Sequence, residues 1–120
     1  MTEGAPHAMK KVLAIVREER LDAIIERLLL IGVRGLTLGM AKGAGGSGGH
    51  REVFRGSAYQ VDFVDKVVIE WFGPDEQTDG VVRAIQQRGE TGKAGDGKVF
   101  VLPVLEAVRI RTGERGLDAV

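Results

Sequence analysis

The order of its apolar segments restricts the fold of this chain more than any other feature. Short apolar runs typical of buried strands are separated by stretches in which apolar residues recur at helical spacing. Gly32 follows the first helical stretch, and Pro74 precedes the second. The predicted elements are, in order, a strand at 11–17, a helix at 18–31, strands at 36–41 and 61–72, a helix at 76–88, a strand at 99–102 and a short edge strand at 108–111.

This order, βαββαβ with a short extra C-terminal strand, predicts an α+β fold. It is the pattern of a ferredoxin-like sandwich, in which two helices cover one face of an antiparallel sheet. Within 61–72 the apolar alternation changes register, which predicts a bend near Asp65. The second face of the sheet also carries apolar residues, and no predicted helix remains to cover it. We therefore expect a symmetric oligomer.

The composition limits the class of protein. The 120 residues allow one domain, and the 17 acidic and 17 basic residues balance, so no global charge attracts nucleic acid or a membrane surface. The chain has no cysteine, no long apolar run and only two histidines, which share no metal-ligand spacing. We expect a cytoplasmic protein that binds no nucleic acid, inserts into no membrane and has no metal-ligand cluster.

A glycine-rich octamer at 91–98, T-G-K-A-G-D-G-K, is the first candidate binding site. Glycines allow backbone N–H groups to converge on one point, and Lys93 and Lys98 would add positive charge, which together suit a phosphate. The octamer matches neither G-x-x-x-x-G-K-[ST] nor G-x-G-x-x-G. Taken alone, it is more typical of a glycine-rich turn with solvated lysines.

Two further segments carry candidate binding residues. Residues 43–49 contain five glycines in seven positions, so the region from about 42 to 60 is predicted to be a long loop, a type of segment that is usually functional or disordered. Arg109 and Arg111 are two residues apart, which on a strand places both guanidinium groups on one face, where they suit phosphate oxygens. The alternative is a surface pair screened by Glu106 and Glu114.

These segments, with Tyr59 in F-R-G-S-A-Y, resemble the PII family of nitrogen-signalling proteins. The motifs T-G-K-A-G-D-G-K-V-F and R-I-R-T-G-E carry the likeness, which extends from about Met9 to the end of the chain. Residues 1–8 are then expected to be a disordered extension of a single domain at 9–120. The resemblance implies a homotrimer that binds ATP, ADP or AMP between subunits, with Mg²⁺ possible beside ATP. It also implies regulation of a target protein, a transporter or an enzyme, through a T-loop at about 42–60.

The resemblance also implies roles for individual residues. Thr37 and Glu70 match positions near the adenine, and Tyr59 matches a tyrosine that is uridylylated in some enterobacterial members; an ordinary exposed tyrosine is the alternative. The implied nucleotide-binding set is Thr37, Gly43, Gly45, Glu70, Gly95, Asp96, Gly97, Lys98, Arg109 and Arg111.

The chain departs from the family at the effector site. Typical members read K-G-F-G-R-Q-K-G-H where this chain reads K-G-A-G-G-S-G-G-H, so Ser47 replaces the glutamine that reaches 2-oxoglutarate and Mg-ATP, and Gly46 replaces an arginine. The predicted effector-anion residues are Arg17, Lys66, Gly45 and Ser47. The retained charges of Arg17 and Lys66 favour a smaller anion such as bicarbonate.

Three alternatives remain open at this point. The first is an ordinary nitrogen-regulatory PII protein that senses 2-oxoglutarate with Mg-ATP. The second is a weak nucleotide hydrolase, although no carboxylate pair or Ser–His–Asp order positions a substrate, so we expect a protein that is not an enzyme. The third is a structural trimer that has lost ligand binding, which the intact octamer beside Arg109 and Arg111 disfavours.

Overall fold

The computed structural model describes residues 8–44, 50–53 and 60–120. Five strands and two α-helices make up most of this part of the chain. They are β1 (Met9–Arg17), α1 (Leu21–Leu30), β2 (Thr37–Ala44), β3 (His50–Val53), β4 (Gln60–Pro74), α2 (Asp75–Gly89) and β5 (Gly97–Val104). Single turns of 3₁₀-helix lie at Glu18–Arg20, directly before α1, and at Gly116–Ala119.

The strands form one antiparallel sheet in the order β2-β4-β1-β5, with β3 also paired to β4. Residues that face each other across strands point to the same side of a sheet. Val12 of β1 faces Trp71 of β4 and Val101 of β5, and Ala14 faces Ile69 and Val99. Val12, Ala14 and Ile69 are fully buried, so this side of the sheet forms the floor of the core.

Both helices cover that same side. Ile24 and Leu28 of α1 and Val81 and Ile85 of α2 are buried in one cluster with the apolar residues of β1 and β4. Their spacing of four residues places each pair on one face of its helix. The ferredoxin-like α+β fold is therefore confirmed.

The stop of α1 at Gly32 is also as predicted. Gly32 has a φ of 98°, its N–H donates to the Leu29 carbonyl over 3.1 Å, and the Val33 N–H donates to the Leu28 carbonyl over 3.0 Å. These two bonds satisfy carbonyls that the end of a helix leaves unpaired, and they need a residue that tolerates positive φ.

The structure changes three of the predictions made from the sequence. Strand β2 continues to Ala44, and β3 lies at His50–Val53, so strands occupy part of the loop expected at 42–60. Strand β4 pairs in an unbroken register past Asp65, so the pairing gives no sign of the predicted bend. The strand predicted at 108–111 is reduced to a single bridge between Val108 and Arg115, and the residues between them form a turn.

The side of the sheet away from the helices remains open. Leu13, Ile15 and Val68 are half-buried there, while Phe72 and Leu102 are exposed, and this apolar surface is continuous across β4, β1 and β5. An ion pair joins Lys11 to Glu70 on this surface over 2.8 Å. Such a surface is typical of an interface between protein chains.

We expect this open face to drive self-association. The variant Leu102→Glu should weaken assembly by about ten- to a hundredfold, since burying one leucine contributes about 1.5–3 kcal/mol. Leu30→Glu, at a position on α1 that is 71% exposed, is the matched control and should leave assembly unchanged. Sedimentation velocity at micromolar concentrations measures both, and a wild-type monomer would show that another molecule covers the face.

Candidate functional site

The glycine-rich segment after α2 folds into a tight loop against the end of the sheet. Gly92, Gly95 and Gly97 have φ values of 83°, 94° and 106°. At Gly97 the requirement for glycine is also steric, because a Cβ there would lie 1.8 Å from the carbonyl oxygen of Ile15. The chain therefore enters β5 in contact with the backbone of β1, which only glycine permits.

The carboxylate of Asp96 organises this loop from within. It accepts hydrogen bonds from the Thr91 backbone N–H over 2.8 Å, from the Gly92 N–H over 3.0 Å and from the Thr91 hydroxyl. The bond from the Thr91 hydroxyl and then the bond from the Arg17 guanidinium are the main causes that hold the pKa of Asp96 far below its ordinary value. Asp96 is thus an ionised acceptor whose bonding capacity is used inside the protein.

Two adjacent cations clamp the loop to the sheet. Arg17 of β1 and Lys66 of β4 are register partners, and they lie at the end of the stretch over which these two strands pair. Arg17 donates to the Asp96 carboxylate over 2.9 Å and to the Ala94 carbonyl over 2.6 Å, and the Lys66 ammonium donates to the Gly95 carbonyl. Arg17 and Lys66, which were predicted to bind an effector anion, therefore bind consecutive residues of the loop in this structure.

A cavity of about 710 Å³, which we call the loop cavity, opens beside this clamp. Three lysines, Lys66, Lys93 and Lys98, line it, and Ile15 and Phe100 form its apolar wall. The remaining residues of the lining are Gly43, Ala44, Ala94, Gly95, Asp96 and Gly97. Six of the predicted site residues, Gly43, Lys66, Gly95, Asp96, Gly97 and Lys98, thus meet at one cationic cavity suited to phosphate oxygens.

Thr37 and Glu70 lie at a different place. They face each other across β2 and β4 and line a second cavity of about 510 Å³, the edge cavity, which shares no lining residue with the loop cavity. Phe72 and Val104 add apolar walls, and Glu106 is a second carboxylate there. The hydrogen bond from Arg115 is the main cause that lowers the pKa of Glu106 below its ordinary value.

Arg109 and Arg111 lie in the C-terminal turn, not on a strand. The prediction that strand geometry aligns them was therefore wrong. Arg109 donates to the Glu114 carboxylate over 3.0 Å, and its carbonyl accepts from Gly113, which has a φ of 77°. Arg111 is exposed and forms no hydrogen bond or ion pair within the described part of the chain, and Ile110 between the two arginines is 99% exposed. Neither arginine lines the loop cavity or the edge cavity of its own subunit, although the adjacent Val108 lines the edge cavity.

Three predicted residues, Gly45, Ser47 and Tyr59, lie outside the described residues, as do residues 1–7 of the expected extension. Ala8 is described, and its carbonyl accepts from the Asp75 N–H over 2.8 Å. Sequence reasoning missed Phe72, Phe100 and the internal role of Asp96. Only the last had a signal, since an aspartate a few residues after a threonine in a glycine-rich turn is a typical acceptor for turn N–H groups.

Two kinds of feature are absent from the described residues. Within 8–44, 50–53 and 60–120, no group of three or more His, Asp or Glu residues is arranged to hold a metal ion. Across those same ranges, neither helix has the length and apolar character needed to cross a membrane.

Substitution at Gly97 tests the contact between the loop and β1. Gly92→Ala should cost about 1–2 kcal/mol of stability through its positive φ alone, since a Cβ there meets nothing within 4 Å. Gly97→Ala should cost about 1–3 kcal/mol more, because the added methyl group overlaps the Ile15 carbonyl. Chemical denaturation measures the difference, and equal losses in the two variants would contradict the contact.

The contribution of Asp96 should depend on pH in a definite direction. Its pKa is lower in the folded protein than the ordinary 3.8, so the stabilisation is fully present above pH 3.8 and is lost as the pH falls through the folded-state pKa. The melting temperature of wild type should exceed that of Asp96→Asn at neutral pH. The difference between the two melting temperatures should become smaller below pH 3.8. A gap that is independent of pH would contradict an ionised acceptor.

Comparisons with known proteins agree with this geometry. The family model described as "Nitrogen regulatory protein P-II" matches residues 9–114. The nitrogen regulatory protein P-II of Azospirillum brasilense is 49% identical over 112 residues, and that of Rhizobium meliloti is 47% identical; each match covers 93% of this chain and all of the relative.

Solved structures give the same result. Arabidopsis thaliana PII bound to citrate is 38% identical with a TM-score of 0.77, over 94% of this chain and 92% of that one. A Bacillus subtilis GlnK–ATP complex is 27% identical with a TM-score of 0.77, over 95% of this chain and 99% of that one. The chain therefore belongs to the P-II family of nitrogen regulatory, signal-transducing proteins.

Proposed function

We propose that this protein is a nitrogen-regulatory signal protein that binds adenine nucleotides between the subunits of a homotrimer. The observation that carries the proposal is the separation of the candidate binding residues. One chain has a cationic loop cavity, an acidic and apolar edge cavity, and two arginines in the C-terminal turn, Arg109 and Arg111, that line neither cavity. A nucleotide needs phosphate ligands and a base pocket together, and a neighbouring subunit would bring the second half of each site.

The comparisons support the choice of ligand. The B. subtilis relative is an ATP complex, and the loop cavity of this chain has the lysines and glycine backbone that phosphates require. ADP and AMP share the base and differ only in phosphate number, so they are candidates for the same site, with Mg²⁺ beside the phosphates of ATP.

The regulatory output would pass through the region at about 42–60. Strands β2 and β3 bring its two sides onto β4, where Ala44 and His50 both face Phe63 in register. Gly43 and Ala44 also line the loop cavity, so a nucleotide there would touch the base of this region directly. The target would be a transporter or an enzyme, and the relatives' name, nitrogen regulatory protein P-II, favours one that acts in nitrogen metabolism.

The proposal also concerns the effector that acts together with the nucleotide. The sequence of this chain makes a small anion such as bicarbonate a second candidate beside 2-oxoglutarate. Ser47 and Gly46 stand where typical members carry glutamine and arginine. Lys66 and Arg17 already donate to loop carbonyls, so an incoming anion would have to use the donors that these bonds leave over. A compact anion needs fewer partners than a dicarboxylate.

Titration of the wild-type protein with ATP, ADP and AMP, combined with sedimentation, tests the central proposal. Trimers that bind one nucleotide per subunit would support it. Arg111→Ala should weaken binding by about 1.5–3 kcal/mol, the range of a charge-assisted hydrogen bond. Arg109→Ala should act similarly but also loosen the turn, since Arg109 binds Glu114. Arg83→Ala, an exposed arginine on α2, is the control, and equal affinity of the Arg111 variant and the control would show that the turn is not part of the site.

Calorimetry in the presence of Mg-ATP separates the two effectors. Bicarbonate should change nucleotide affinity more than 2-oxoglutarate does. Losing one partner of a buried carboxylate costs about 1–3 kcal/mol, roughly five- to a hundredfold in affinity. Ser47→Gln should restore some 2-oxoglutarate binding. Micromolar 2-oxoglutarate affinity in the unaltered protein would instead identify an ordinary nitrogen sensor.

A further inference from the structure

A third cavity, of about 470 Å³, opens where β4 ends and α2 begins, and we call it the tryptophan cavity. Its volume lies within the range of small-molecule sites, roughly 300–1,000 Å³. The residues that give it its chemical character are Arg34, Trp71, Glu76, Leu117 and Val120. Its three polar side chains, those of Arg34, Trp71 and Glu76, line neither the loop cavity nor the edge cavity.

The tryptophan cavity differs from the edge cavity in the side of the sheet from which its aromatic wall projects. Trp71 and Phe72 are consecutive on β4, so their side chains project to opposite sides of the sheet. Trp71 faces Val12 in the layer that the helices cover, whereas Phe72 belongs to the open side. The two cavities share Val120, Phe72 and Gly35 as a boundary.

The indole ring of Trp71 supplies a hydrogen-bond donor to this cavity. The ring occupies the space beside Gly73, where a Cβ would lie 2.2 Å from its Cζ2 atom, far closer than two carbon atoms can pack. Trp71 is only 4% exposed, yet its N–H forms no hydrogen bond in the described part of the chain. No side-chain nitrogen of these residues is both fully buried and unpaired, so the indole N–H must reach open space.

Two side chains of opposite charge line the cavity without pairing with each other. Arg34 donates one N–H to the Val33 carbonyl over 3.2 Å and forms no ion pair with a described residue. Glu76 forms neither a hydrogen bond nor an ion pair with the residues that the structure describes. A guanidinium group has five donors and a carboxylate only accepts, so the cavity offers donors and acceptors at separate points.

The C-terminal residues add the apolar part of the wall. Leu117 and Val120 are 47% and 43% exposed, and both line the cavity together with the indole ring. A matching ligand has a carboxylate for Arg34 and the indole N–H, an ammonium for Glu76 and an apolar side chain. A simple anion would meet the charge of Glu76, and a simple cation would meet that of Arg34.

We propose that the tryptophan cavity binds a free α-amino acid with an apolar side chain. The carboxylate of the ligand receives charge-assisted hydrogen bonds from Arg34, and its ammonium donates to Glu76. The site is independent of the nucleotide site, because its polar groups belong to neither of the other cavities.

The chain contains a built-in reporter for this site, since Trp71 is its only tryptophan. L-Leucine is the probe, and its addition to the full chain should change the tryptophan emission saturably, with a Kd of about 1 mM or lower. Isopentylamine lacks the carboxylate, and 4-methylpentanoate lacks the ammonium. Each should bind at least about tenfold more weakly than leucine, and so should glycine, which lacks the apolar side chain.

Two charge-removing variants place the probe. Arg34→Gln should weaken leucine about tenfold and leave isopentylamine unchanged, while Glu76→Gln should weaken leucine similarly and leave 4-methylpentanoate unchanged. Both side chains are exposed, so the variants should sediment like wild type. Arg83→Gln on α2 and Glu26→Gln on α1 remove exposed charges that line none of the three cavities, and they should leave leucine affinity unchanged.

Three results would overturn the proposal and leave the nucleotide function standing. The first is the absence of a saturable response of the wild-type protein to leucine. The second is equal affinity for leucine and for either of its singly charged analogues, which would indicate apolar contact alone. The third is leucine binding that calorimetry detects but that leaves the tryptophan emission or the affinity of both charge-removing variants unchanged, which would place the amino acid elsewhere.

Discussion

The hydrogen bonds between two cations and the glycine-rich loop determine how this protein presents its candidate site. Arg17 and Lys66 lie side by side where the pairing of β1 with β4 ends, and their donors reach three consecutive residues, Ala94 to Asp96. Without them, only the bonds that Asp96 accepts within the loop would oppose the conformational entropy of this glycine-rich segment. The lysines of the loop cavity and the start of β5 are placed by this clamp, and so is the contact of Gly97 with Ile15.

The second constraint is that the clamp organises only half of a binding site. The loop cavity collects positive charge and glycine backbone, while the edge cavity collects carboxylates, an aromatic ring and apolar side chains. The arginines of the C-terminal turn, Arg109 and Arg111, line neither cavity. The same sheet leaves its second face apolar and uncovered. Assembly through that face would cover the apolar surface and join complementary half-sites, so stability and ligand binding would have one common cause.

Much of the fold could be predicted from the sequence, because periodic burial leaves a strong pattern. Val12 and Ala14 alternate with half-buried residues along β1, and Ile24 and Leu28 repeat at helical spacing. The end of α1 was predictable because Gly32 supplies the positive φ that a helix stop needs. The C-terminal turn was not predictable in this way. The apolar residues of 108–111 resemble an edge strand, but the Gly113 turn and the Arg109–Glu114 pair bend the chain before it can pair with the sheet.

The site was less predictable because its residues act through partners distant in sequence. The glycines and lysines of the octamer indicate an anion site, but nothing local shows that Asp96 binds Arg17, which lies 79 residues away. A family resemblance assigns Lys66 to an effector, whereas the structure has its ammonium on a backbone carbonyl.

The role of Lys66 in the structure and its proposed role at an effector site meet at one ammonium group, which has three N–H donors and gives one of them to the Gly95 carbonyl. An anion that drew the ammonium away from this carbonyl would remove one restraint on the loop that lines the loop cavity. A ligand shifts a conformational equilibrium only by its differential affinity for the two states, and a weakened bond to the loop would contribute to that difference. Under the proposed function, coupling between effector and nucleotide would therefore need no long pathway, since one ammonium group belongs to both the clamp and the cavity.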